Sequence, residues 1–207
     1  YLPQKICLDP SKDLVTSSAV NFYRNVTQKE VEAYYAAAKD EKDDTPISYG
    51  LNSRLVKENG KIKEETWKID GIYGEAIERI VFWLEKAYKV ADSPQQAAGI
   101  EKLIEYYKTG DLVTWDDYNV IWVSDTSRVD FVNGFIEVYA DPLGMKATWE
   151  SVVNFKDLVA TKRTETIASN AQWFEDNSPV DNRFKKKNVK GVSAKVITVS
   201  MLGGECY

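Results

Sequence analysis

The sequence predicts an α+β fold, with a small, mostly antiparallel sheet or barrel and several packed helices. Three observations carry that reading. Strand-like and helical segments do not alternate strictly, as a parallel βαβ arrangement would require. Two pairs of strand-like runs flank turn signals, one at Asn59-Gly60 and one at Asp141-Pro142-Leu143-Gly144. Between them lie three helical patterns in succession, spanning roughly Tyr73 to Trp122.

The elements follow in order. Thr27-Gln28-Lys29-Glu30 has the S/T-x-x-E form of a capping box and predicts a helix through VEAYYAAAK. That helix runs out in the charged cluster KDEKDD. YGLNSRLVK and KIKEETWKI then flank Asn59-Gly60 as a predicted hairpin. Ile77, Ile80, Val81, Leu84 and Tyr88 recur three and four apart, which predicts a helix over 73–90. Ser93-Pro94 supplies a cap and a first-turn proline for the next helix, and Gly110 its end. A third, shorter helix is expected to begin at Thr114. A strand through DFVNGFIEVYA, the turn DPLG and a second strand ATWESVVNF follow. One long amphipathic helix is expected from about Asp157 to Phe174, then a polar loop. The run VSAKVITVSML, rich in β-branched residues, predicts a last strand.

Composition narrows the classes. With 207 residues, 43% hydrophobic and 29% charged, the chain can bury a substantial core. A net charge of -5 gives no electrostatic reason to expect nucleic acid or an anionic membrane as partner. No apolar run approaches the roughly 20 residues of a membrane span, and no signal peptide is visible. The chain contains no histidine, which excludes Ser-His and Cys-His nucleophiles and imidazole zinc sites within it. Cys7 and Cys206 are expected to be reduced thiols of a cytoplasmic protein rather than a bridge. Lys185-Lys186-Lys187 reads as a solvated loop, the Asn25-Val26-Thr27 sequon is discounted because Thr27 serves as a helix cap, and the six Trp are assigned to packing.

The strand through Gly134 divides by parity. Its even positions, Val132, Gly134, Ile136, Val138 and Ala140, are small or aliphatic and suit a tight sheet core. Its odd positions are Phe131, Asn133, Phe135, Glu137 and Tyr139. Bulk solvent would not favour two Phe and a Tyr on one face, and a closed core would not hold an unpaired carboxylate. The odd face therefore suits a partly buried cleft. Glu137 has two readings here, a functional acid in that cleft or the partner of a lysine across the sheet.

GFIEVYADPLG, at Gly134–Gly144, closely resembles a G-F-I-E-x-Y-x-D-P-x-G segment of the dipeptidyl peptidase III family of zinc-dependent exopeptidases. ISYGLNSRLVKENGKIKEETWKIDGIYGEAIERIVFWLEKA and VITVSMLGGECY are similar to other stretches of that family, in the same order and nearest its bacterial branch. The resemblance implies a two-lobed peptidase that removes dipeptides from the N-terminus of short peptides, with a lower lobe built on a small β-barrel and an upper lobe holding zinc. It implies that Glu137 binds the substrate's free α-amino group and that Tyr139 hydrogen-bonds near the scissile carbonyl. The zinc motif of the family, of the form H-E-x-x-G-H, is absent from this chain. The expectation is therefore an internal piece that ends before the metal helix, binds no zinc and is inactive alone. On the same resemblance, 1–156 belongs to the substrate lobe, 157–191 crosses toward the helical lobe and 192–207 returns as a barrel strand. If 157–191 crosses, Leu158, Ile167 and Trp173 are expected to be exposed. A non-catalytic peptide-binding or interaction module is the competing expectation.

Overall fold

Thr27 caps the first helix in both directions. Its hydroxyl accepts from the Glu30 amide, and the Glu30 carboxylate accepts from the Thr27 amide at 3.0 Å. Helix α1 then runs Gln28–Ala38. The computed structural model describes residues 5–191 and 194–204. Before α1, a two-residue strand β1, Tyr23–Arg24, pairs parallel with β2, Ser53–Glu58. Strand β2 pairs antiparallel with β3, Lys61–Thr66, about the Asn59-Gly60 turn, both turn residues having positive φ as that turn type demands.

Three helices follow. Helix α2 spans Gly74–Tyr88 and buries Ile77, Val81 and Leu84. Its cap is Tyr73, held at φ 66 in the left-handed region, which a bulky residue adopts only under constraint. Helix α3, Pro94–Thr109, opens with the Ser93 hydroxyl accepting from the Gln96 amide and closes at Gly110 with φ 75. Helix α4 spans Leu112–Val123 and starts earlier than the sequence predicts. The carboxylate of Asp111 accepts from the Val113 and Thr114 amides, so Asp111, not Thr114, is the cap. Tyr106, Trp115 and Tyr118 stack in series, with ring centroids 4.9 and 5.3 Å apart.

Strands β4, Val129–Glu137, and β5, Thr148–Lys156, form a second sheet with β6, Ile197–Gly204, in the order β4-β5-β6. The Lys156 amide donates to the Arg128 carbonyl, and the Thr148 hydroxyl lies 3.3 Å from the Glu137 carbonyl. These contacts at opposite ends make β4 and β5 antiparallel, as expected. The architecture is α+β, with two three-stranded sheets that stay open rather than closing into a barrel.

The chain divides into two compact units. The first holds the residues up to Ser127 together with Asn133–Glu150 and Gly204. The second holds Arg128–Val132 and Ser151–Gly203. In the second, the expected long helix is two: α5, Leu158–Ser169, and α6, Ala171–Asn177, interrupted at Asn170 with φ -102 and ψ 16. Asp157 caps α5, and the Thr161 hydroxyl accepts from the Val196 amide at 3.1 Å. A short 3₁₀ turn, Asn182–Phe184, lies in the polar loop. Leu158, Ile167 and Trp173 are 58%, 58% and 59% exposed. Trp83 on α2 is exposed too, so packing does not account for every Trp. Cys7 is a buried free thiol, and Cys206 lies outside the described residues.

Candidate functional site

Strand β4 is held in register by a three-member hydrogen-bond chain. The Trp149 indole N–H on β5 donates to the Tyr107 hydroxyl at 2.8 Å, and that hydroxyl donates to the Asn133 side-chain oxygen at 2.5 Å. Helix α3 thereby grips both strands through one phenol. Burial pushes the Tyr107 phenol well above its ordinary pKa, so it stays protonated and able to donate. On the opposite face, a Cβ on Gly134 would stand 2.4 Å from the Trp115 ring, so only glycine allows this approach.

Phe135 is buried, with its ring centroid 4.9 Å from that of Trp67 on the odd face. The even face is less closed than a sheet core. Ile136 and Val138 are half-buried and line a cavity of about 730 Å³ beside the loop Lys39–Leu51.

Glu137 is the last residue of β4 and is half-buried. Among the described residues its carboxylate has neither an ion pair nor a hydrogen bond, so no lysine pairs with it across the sheet. Tyr139 lies beyond the strand, in the turn, and is 52% exposed. Strand β4 therefore ends two residues before Tyr139.

Asp141 builds that turn. Its carboxylate accepts from the amides of Met145 at 2.8 Å and Lys146 at 2.9 Å, and from the Tyr23 hydroxyl at 3.0 Å. The Asp141 amide closes back on the Val138 carbonyl. Lys146 is fully buried. Its ammonium donates to the Tyr35 hydroxyl at 2.7 Å, the Ser53 hydroxyl at 3.1 Å and the Gly50 carbonyl at 3.2 Å. Tyr35 and Ser53 both donate onward to the Glu64 carboxylate. Burial lowers the Lys146 pKa to about 8 against the opposing pull of Glu64 and Asp141. Sequence reasoning missed both residues. The Asp-Pro-x-Gly spacing is a usable signal for a side-chain-capped turn, whereas nothing in the local pattern marks Lys146 as buried.

A second, apolar cavity of about 540 Å³ lies against Phe135 of β4. Phe22, Trp67, Tyr73, Ile77, Phe135 and Trp149 are among its walls. Thr148, whose hydroxyl lies 3.3 Å from the Glu137 carbonyl, lines it as well.

Against known proteins, the model of peptidase family M49 matches residues 12–199. The chain is 26% identical to dipeptidyl peptidase 3 of Dictyostelium discoideum over 144 residues, covering 66% of this chain and 21% of that one. It is 25% identical to Nudix hydrolase 3 of Arabidopsis thaliana over 135 residues, covering 65% and 17%. Among solved structures, dipeptidyl peptidase III from Caldithrix abyssi superposes with a TM-score of 0.70 at 21% identity, covering 90% of this chain and 35% of that one. The enzyme from Corallococcus sp. strain EGB superposes at 0.58 with 22% identity, covering 86% and 33%. The chain thus spans about a fifth of the curated relatives and a third of the solved ones, and its fold is that of part of those structures.

Proposed function

The chain belongs to peptidase family M49, and on that premise we propose that it supplies substrate-binding residues to a zinc-dependent dipeptidyl peptidase of the cytoplasm. In this reading the enzyme removes dipeptides from the N-terminus of short peptides. Glu137 takes the substrate's ammonium group, and the Tyr139 hydroxyl donates to the carbonyl at the cleaved bond, where negative charge develops. The observation that carries the reading is the half-buried Glu137 carboxylate, which has no partner among the described residues. A carboxylate without a cation leaves its charge free to pair, and an incoming ammonium ion supplies the partner.

The residues present do not fit a zinc site. The chain has no histidine, and the described residues contain no group of three or more potential ligands. The metal half of the proposed enzyme is therefore assigned to residues other than these. Two tests bear on this. The reading frame beyond Tyr207 should encode an H-E-x-x-G-H motif, and a stop codon there would defeat the reading. The isolated 207-residue chain should release no dipeptide from a dipeptidyl-naphthylamide, and chelator-sensitive release would defeat the assignment of zinc elsewhere.

A further inference from the structure

We propose that Tyr23, the first residue of β1, is a positioning residue for Tyr139, because its phenol anchors the turn that carries Tyr139. The inference rests on the role given to Tyr139 under the proposed function and adds the residue that holds it in place. Tyr139 and Ala140 are the central residues of a turn that the Asp141 amide closes by donating to the Val138 carbonyl at 3.0 Å. Tyr139 is 52% exposed, so the turn, more than packing around the side chain, fixes where it stands.

That turn depends on one carboxylate oxygen. Asp141 Oδ2 accepts from the Met145 and Lys146 amides at 2.8 and 2.9 Å, and from the Tyr23 hydroxyl at 3.0 Å. The two amide bonds are local and shape the loop. The third spans 118 residues of sequence and ties the loop to the first sheet. Its far end is rigid. Tyr23 pairs with Leu55 of β2, the Leu55 amide donates to the Phe22 carbonyl at 2.9 Å, and Leu55 is fully buried. The Tyr23 side chain packs against the core of Val15, Val26, Val31, Tyr35 and Leu55. Burial, and after it the charge of Asp141, pushes the Tyr23 phenol far above its ordinary pKa, so it keeps the proton it donates. Two bonds in series, Tyr23 to Asp141 and Asp141 to Val138, therefore link the core to the backbone of Tyr139. A group that acts on a reacting bond loses rate when its support lets it shift by a fraction of an ångström.

Steady-state kinetics of the full-length peptidase carrying Tyr23→Phe test this. The substitution keeps the ring in the core and removes only the hydroxyl. A fall in kcat of about tenfold is expected, with KM changed by less than about twofold. In a Tyr139→Phe background the same substitution should cost nothing further, because the hydroxyl that it positions is already gone. A Tyr23→Phe enzyme with the parent's kcat overturns the proposal. So does a loss of the same size with and without the Tyr139 hydroxyl, which would make Tyr23 a purely structural residue. If Tyr139→Phe by itself keeps the parent's kcat, the role of Tyr139 fails and the proposal falls with it. If Tyr139→Phe lowers kcat and Tyr23→Phe does not, the role of Tyr139 stands and only its positioning by Tyr23 fails.

Discussion

The ammonium of Lys146 donates to the hydroxyl of Tyr35 at 2.7 Å, in a site from which solvent is excluded on the lysine side. The charge has company from every element packed on it: Tyr35 on α1, Ser53 on β2, Glu64 on β3, Tyr23 on β1 and Asp141 in its own turn. Lys146 and Asp141 together fasten the segment after Glu137 to the first sheet and α1.

The folded-state pKa of Lys146, about 8, lies below its ordinary value of 10.5. Between those values the unfolded chain holds a proton that the folded chain has released, so stability rises with pH across that window. Burial pushes the phenols of Tyr23, Tyr35 and Tyr107 upward, so above about pH 10 their ionisation in the unfolded chain removes stability. Urea unfolding should therefore show a gain of roughly 1 kcal/mol from pH 8 to pH 9, before the phenols begin to offset it. Lys146→Met should flatten that slope, and an unchanged slope in the variant would exclude Lys146 as its source.

Gly134→Ala should destabilise the chain by about 1–3 kcal/mol. The added methyl group meets the Trp115 ring, which is itself clamped between Tyr106 and Tyr118 and has nowhere to go. A denaturation midpoint equal to that of the parent would show that the ring yields.

Tyr107→Phe removes the middle of the chain from Trp149 to Asn133 and leaves a donor and an acceptor unpaired together. A loss of about 1–3 kcal/mol is expected. The Trp149 indole N–H should also exchange with solvent faster, which amide and indole hydrogen exchange can read. Protection equal to that of the parent would mean that the indole finds another acceptor.

Much of the fold was legible because local chemistry specified it. The capping box at Thr27, the Ser93-Pro94 start with its Gly110 stop, and the Asn59-Gly60 hairpin each satisfy backbone groups from residues close in sequence. The failures have a shared cause, which is competition that a spacing pattern does not register. Asp111 outcompetes Thr114 as a cap because its carboxylate reaches two amides. The apolar spacing runs on past Asn170, yet the backbone breaks there. The strand-like pattern runs on through Ala140, but the Asp141 carboxylate gathers the following amides into a turn and the strand ends at Glu137. Glu137 was visible as an odd acid on an aromatic face. That it has no cation among the described residues depended on residues far away in sequence.

Tyr139→Phe in the full-length peptidase should lower kcat by roughly 100-fold and change KM less, because the hydroxyl acts where charge appears during the reaction. A raised KM with kcat preserved would move Tyr139 to simple binding.

Steady-state kinetics of Glu137→Ala in that same enzyme, on a dipeptidyl-naphthylamide with a free N-terminus, test the central claim most directly. Loss of a charge-assisted bond to the ammonium group should raise KM by roughly 10- to 100-fold while kcat changes little. A variant with the parent's KM would contradict the assignment of Glu137 to the substrate's amine.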